Sequence, residues 1–567
     1  MWLCYSSQLT FVRAGTIYCH LFAKTKNPVV LVLNPLDALG DNQVQEKITQ
    51  GFTAINLKQT NFNKSVAGEI LQGKYNFIYL SPEIFLNNEM FTEVYHNPKF
   101  QDHLVLTVVD KAHMIYSWGL VANRKARRSK AHRRHQDQAI FWPSYGDLGR
   151  ALMATPNMPI LSLSATCRPR AMSAILRSLR IPEDNVTFVR AELTRPELQI
   201  LRVPMECSLQ STKDLSRAFG SKKDVPNEKL PPTLVYSGNW NGTLDSMKVI
   251  NKKRGVVDGH KDPYSTLIRR YPACTGDMDK DDTIGEFEKA DFPMIACTMA
   301  LGLGQNWKRV RWVIIVGQGD PSCICQMMGR CGCDGKPGLV ILFMEKKREF
   351  GLNTPEAIAK ADKEDDDVRM NSLAITPICL RIAFSVDDLY VFLFSCELTW
   401  KVTYQHFYFL CRYSYIPMDR DDPNYLREES REEAEGFEKC RCSNCAPEDT
   451  EMILKNIGIM SNDNFDAFLD RPSDYVDPNP VQPTKKEATR GGKKTNTSGP
   501  NPVLDQFVVT LVNKFNTFFK DQYGKATSHT SLSHQKLKIV LLVVLSYLTT
   551  DVLWNTMRKA KLCLLKD

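Results

Sequence analysis

Residues 104–119 read LVLTVVDKAHMIYSWG: six aliphatic or β-branched residues, an acidic residue, a short polar step, then Trp118-Gly119. A continuous apolar run of this kind has no face to offer to water. It constrains the chain to a strand buried on both sides, as in a parallel sheet covered by helices. The residue that ends such a strand emerges at the carboxyl edge of the sheet, where open α/β sheets bind ligands. Asp110 is therefore either a helix cap or a candidate ligand for magnesium.

Similar runs recur along the chain. Residues 29–33 end in Asn34-Pro35, residues 77–80 in Ser81-Pro82-Glu83, and residues 161–163 in Ser164-Ala165-Thr166. Later come TLVYS at 233–237, MIACTMALGLGQN at 294–306, an apolar strand at 310–316 and QMMGRCGCDG at 326–335. Strand, crossover and strand at these intervals predict βαβ units and parallel sheets.

In this order the segments resemble the motifs of superfamily-two helicases, and specifically those of RecQ-like DNA helicases, over roughly residues 1–445. The resemblance implies an α/β fold with two tandem RecA-like parallel-sheet domains, followed by a small zinc-binding helical region and a mostly helical tail. The expected boundaries are 1–200 and 201–350 for the two helicase domains, 351–470 for the zinc-binding region, 471–503 for a disordered linker and 504–567 for the C-terminal helices. It also implies an ATP-dependent 3′ to 5′ DNA helicase of unwinding, recombination and repair, acting on single-stranded or forked DNA, with RNA left open.

Roles carry over position by position. Asp110 would hold Mg²⁺, while His113 and Ser164 to Thr166 would couple the domains. Gln326 and Arg330 would face the nucleotide, ATP, with Thr166 and Gly302 beside it. Asn34, Pro35, Ser81 and Thr298 would track nucleic-acid phosphates. Trp118 and Trp142 would belong to an aromatic-rich loop that couples DNA contact to hydrolysis. Cys379, Cys440, Cys442 and Cys445 resemble the family's zinc site, and thiolates at short spacing suit tetrahedral zinc.

Three departures bear on activity. No G-x-x-x-x-G-K-[ST] occurs in the 567 residues, so the backbone nest and lysine that grip the β and γ phosphates are missing. Leu3-Cys4-Tyr5 resembles the residues just after that lysine, as though the loop ended where residue 1 begins. Lys111 stands where the family has a glutamate that positions the attacking water, and Cys333 where it has a second arginine. Two functions remain open: an ATP-dependent helicase impaired in hydrolysis, or a catalytically inactive relative that binds nucleic acid without turnover or is a defective gene copy.

Composition refines this. Seventy-three basic against 64 acidic residues give +9, an excess that suits a polyanion partner without demonstrating one. Residues 120–140 hold seven Lys/Arg and no aromatic residue, so they form a solvated insert or a basic patch that serves nucleic acid or nuclear import. A second insert is expected at 391–411. Seventeen irregularly spaced cysteines with no signal peptide point to a reducing compartment, and a nuclear location is expected alongside the resemblance to DNA helicases. The apolar run 539–545 is too short to span a bilayer. Residues 506–520 place apolar side chains at helical spacing.

Overall fold

Among the described residues, thirteen short strands, each closing its backbone hydrogen bonds against a neighbour, build two wholly parallel sheets. In this computed structural model the described residues are 2–5, 27–34, 37–116, 148–152, 158–164, 166–190, 194–271, 277–302, 307–348, 351–388 and 414–478. All of them fall within one unit, residues 1–486. Pro35, Trp118, Trp142, both expected inserts and the C-terminal helices lie outside the described residues, as does the linker from residue 479 on; residues 471–478, expected to be disordered, instead hold the short helical turn Pro472–Asp474.

The first sheet comprises β1 (Trp2–Tyr5), β2 (Val29–Leu33), β3 (Ala54–Leu57), β4 (Phe77–Leu80), β5 (Leu104–Val109), β6 (Ile160–Leu163) and β7 (Thr187–Arg190), in the order β3-β4-β2-β5-β6-β1-β7. The second comprises β8 (Leu198–Met205), β9 (Thr233–Tyr236), β10 (Ile268–Tyr271), β11 (Met294–Cys297), β12 (Trp312–Val316) and β13 (Gly338–Glu345), in the order β10-β11-β9-β12-β13-β8. Every residue of β2, β5 and β12 is buried, as a strand covered on both faces requires. The two tandem parallel sheets expected from sequence are present.

One expectation fails here. Leu3 to Tyr5 lie in β1, between β6 and β7. A phosphate loop leads into a helix N-terminus, whose unpaired N–H groups and dipole favour the anion. A strand offers neither, so the likeness of these three residues to the segment after a phosphate-binding lysine is not matched by their structure.

Beyond β13 the chain is helical. Helix Leu380–Asp388 is held against helix Pro423–Ala434 by Arg381, whose guanidinium reaches both Glu432 oxygens at 2.6–3.1 Å. Residues 440–444 then fold against β8, the edge strand of the second sheet. Ser443 N–H donates to the Ile200 carbonyl at 3.0 Å, Ser443 Oγ accepts the Arg202 N–H at 3.0 Å, and Gln199 Nε2 donates to the Arg441 carbonyl at 3.1 Å. A bare edge invites pairing with foreign strands, and this segment covers it. Among the described residues no helix is long and apolar enough to cross a membrane.

Candidate functional site

The strands of the first sheet end in step. Asn34 N–H bonds the Leu80 carbonyl at 2.9 Å, Asp110 N–H the Leu33 carbonyl at 3.0 Å, and Ala112 N–H the Leu163 carbonyl at 2.8 Å. Asn34, Ser81, Asp110 and Ser164 therefore line one carboxyl edge. Asn34 is buried and its amide donates to Gln43 Oε1 at 3.1 Å. Ser81 Oγ accepts Ile84 N–H at 3.4 Å as the cap of helix Pro82–Asn87, with Pro82 at its first position. Both side chains, expected to meet nucleic-acid phosphates, turn to partners inside the first lobe.

Asp110 meets its own neighbour. Lys111 Nζ lies 3.1 Å from Asp110 Oδ1 and 3.2 Å from Oδ2, and Lys111 N–H donates to Oδ1 at 2.8 Å. Lys111 reaches this pose with φ of 55°, in the left-handed region that residues with a Cβ seldom adopt. Magnesium needs a near-octahedral oxygen shell at about 2.1 Å and usually keeps several waters. With both carboxylate oxygens facing an ammonium within 3.2 Å, the residues present do not fit a bound magnesium ion, contrary to the expectation for Asp110.

His113 joins the two sheets. Its Nδ1 lies 2.8 Å from Ser164 Oγ, and its Nε2 lies 2.8 Å from Gln326 Nε2, on the second lobe's helix Pro321–Met328. Gln326 Nε2 also donates to Thr166 Oγ1 at 2.5 Å. With the Gln326 nitrogen toward the ring, Nε2 accepts and the imidazole proton sits on Nδ1, donating to Ser164. Of the residues assigned to coupling and to the nucleotide, the fold thus brings His113, Ser164, Thr166 and Gln326 together.

Burial, reinforced by the Lys111 charge, pulls the His113 pKa down to about 3. An unfolded ring titrates near 6.5. Below that pH the unfolded chain takes up a proton that the folded chain refuses, so stability is full above pH 6.5 and falls as pH drops toward 3. The slope from this one group is about 1.4 kcal/mol per pH unit. Denaturant midpoints measured between pH 7 and pH 5 should fall less steeply in His113→Gln. Equal slopes in the two proteins would show that His113 is not buried as a neutral ring.

Other expected residues lie apart from this contact. Arg330, just past the end of helix Pro321–Met328, donates from Nε to the Gln326 carbonyl at 3.3 Å, and Cys333 Sγ lies 3.4 Å from the Gly329 carbonyl. Thr298 is buried after β11, and Gly302 closes the short turn Met299–Gly302.

Sequence reasoning missed a buried charge network behind the site. Arg168 donates to Tyr116 Oη at 2.8 Å and to the Glu364 carbonyl at 3.1 Å, and it pairs with Asp366. Fully buried Arg369 pairs with Asp320 at 2.9 Å, Asp366 at 3.0 Å and Asp387. Asp320 also caps the helix that carries Gln326, accepting Cys323 N–H at 3.2 Å. The acidic run 362–367 was visible in sequence, but its two arginine partners were not.

Cys379, Cys440, Cys442 and Cys445 converge, with their sulfur atoms all within 4.8 Å of one another. Tetrahedral zinc with bonds of about 2.3 Å sets sulfurs about 3.8 Å apart, so this set fits the ion. The Leu380 N–H points at Cys442 Sγ from 3.3 Å. Hydrogen bonds from Cys379, Cys440 and Cys445, with a smaller contribution from that N–H, pull the Cys442 pKa down, while Cys379 and Cys445 are pushed up by the same cluster.

No known protein-family model matches the chain. It is 23% identical over 355 residues to the ATP-dependent helicase wrn-1 of Caenorhabditis elegans, covering 61% of this chain and 29% of that protein. It is 24% identical over 323 residues to the ATP-dependent DNA helicase RecQ of Haemophilus influenzae, covering 56% of this chain and 44% of that protein. Against the probable ATP-dependent DNA helicase RecS of Bacillus subtilis it is 24% identical over 321 residues, 56% of this chain and 55% of that protein. The chain therefore spans only part of the length of the curated relatives it matches. With its motifs in this order at the edges of two parallel sheets, the chain is similar to the RecQ-like helicases of superfamily two over more than half of its length.

Proposed function

We propose that this chain is a nucleic-acid-binding helicase core that holds single-stranded or forked DNA, in the nucleus, without productive ATP hydrolysis. The observation that carries the helicase-type reading is the contact of Gln326 with His113 and Thr166, because it couples one sheet's edge to the other's through residues at motif positions. The Lys111–Asp110 pair and the missing phosphate loop argue against turnover. In the second reading the chain is an active 3′ to 5′ DNA helicase of recombination and repair using ATP and Mg²⁺. The helicase relatives it resembles favour that reading, and RNA stays an alternative partner in both.

Binding should be weak and salt-sensitive, since basic side chains that neutralise phosphates release counterions. Fluorescence anisotropy with a single-stranded oligonucleotide between 50 and 200 mM salt, roughly the range in which such effects are large, reads this directly. Each phosphate neutralised on a single strand adds about 0.7 to the slope of log K against log salt. Deleting residues 120–140, with their seven Lys/Arg, should weaken binding and lower the slope by about 1 or more. An unchanged slope would remove the insert from the interface, and no binding at low salt would remove the proposal.

A further inference from the structure

Lys111 does more than replace a group of opposite charge. Its left-handed backbone turns the side chain back onto the preceding residue, so one ammonium addresses both oxygens of the Asp110 carboxylate, at 3.1 and 3.2 Å. The pair is sheltered, with 16% of the Lys111 side chain and 7% of the Asp110 side chain exposed. At such low exposure water screens little of the attraction, and little of the repulsion that a second cation would meet. The carboxylate also accepts the Lys111 N–H at 2.8 Å, so Oδ1 already carries two donors. His113, packed nearby, registers the same charge, since Lys111 is the second cause of its lowered pKa after burial.

We propose that Lys111 is a tethered cation that takes the place of a divalent metal at Asp110, so that this cleft excludes magnesium and any anion it accepts binds in metal-free form. A dication would have to displace an ammonium fixed by the adjoining residue, whose local concentration no dilution can lower. It would also leave that positive charge within a few ångströms of its own. A metal-free site of this kind keeps a carboxylate and an ammonium of net zero charge at the sheet edge, the same net charge as a pair of carboxylates holding a divalent metal. The inference rests on the geometry of these two residues and not on nucleic-acid binding, and its test contains neither nucleotide nor nucleic acid.

The test uses the full chain and ferrous iron as the probe metal. Iron bound at a site generates hydroxyl radicals with ascorbate and peroxide, which cut the backbone close by, and mass spectrometry maps the cuts even when binding is weak. The unsubstituted chain should show no cutting around residues 108–113 beyond that of Asp110→Asn. Lys111→Gly removes the ammonium and suits the positive φ, so it should fold. Lys111→Glu supplies a second carboxylate. In Lys111→Glu, cutting at Asp110 should rise at least tenfold, be suppressed by excess magnesium and vanish when Asp110→Asn is added. Lys111→Gly should show a smaller rise at the same place, and Lys111→Arg none. Magnesium-sensitive cutting at Asp110 in the unsubstituted chain would overturn the proposal, because the ammonium would then have yielded to the metal. So would the absence of cutting in both Lys111→Gly and Lys111→Glu with circular dichroism unchanged, since the ammonium would then not be what keeps metal away.

Discussion

A polypeptide of these 567 residues should release phosphate from ATP no faster than its own Asp110→Ala variant, with or without single-stranded DNA. Phosphoryl transfer needs the phosphates held, water oriented and charge neutralised between two lobes. The sequence has no phosphate-binding loop, and residues 2–5 form a strand instead of opening a helix. Lys111 is engaged with Asp110 and cannot accept a proton from water, a loss worth about 10² to 10⁴ in rate. Cys333, its sulfur beside the Gly329 carbonyl, offers no fixed positive charge where an arginine finger is worth about 10³ to 10⁵. These groups act as a unit, so their losses do not multiply, yet each alone is severe. Lys111→Glu with Cys333→Arg should therefore stay at background, because neither change holds the β and γ phosphates. Phosphate release by the unsubstituted chain well above the Asp110→Ala blank would mean that the nucleotide is gripped by residues outside these motifs.

How much of this was legible in the sequence follows from which features are local. A run such as VVLVL or LVLTVV can only be a two-sided buried strand, so both sheets and the polar residues at their ends could be read directly. Ser81 was equally legible as a cap, since serine followed by Pro82 and Glu83 is a helix start, but the family likeness drew attention to phosphates instead. What could not be read is pairing across distance. Arg168 meets Asp366 nearly two hundred positions away, and Arg369 gathers Asp320 and Asp387 from two other helices. No periodicity encodes such contacts. The Lys111 substitution was plain as a change of sign, but its backbone angle, and hence where the ammonium lands, belongs to the folded chain. Arg330 likewise folds back onto the last turn of the preceding helix, a choice of rotamer that the motif spacing does not specify.

The second large effect concerns metal in the segment packed against β8, the edge strand of the second sheet. Purified protein should contain about one zinc per chain, bound by Cys379, Cys440, Cys442 and Cys445, whose sulfurs already converge within 4.8 Å. Four thiols brought together without a metal would be an unfavourable arrangement, because burial opposes ionisation and neutral thiols attract one another weakly. Zinc supplies the missing attraction, with apparent binding free energies of roughly 10 to 16 kcal/mol in small zinc domains, much of it expressed as folding. The segment it would pin is the one that covers β8 through Ser443 and Arg441, so the metal's influence should reach the second sheet. Removing zinc with a strong chelator should lower the unfolding temperature of this lobe by on the order of 10 °C, if only a few kcal/mol of that binding energy is felt globally. Amide exchange in residues 198–205 should quicken at the same time, since the Ile200 carbonyl and the Arg202 N–H would lose their partners on Ser443. Cys442→Ser with Cys445→Ser should reproduce both changes without chelator. Protein that carries no zinc as purified, or a doubly substituted chain that retains the same zinc content, would show that the four cysteines are not its ligands.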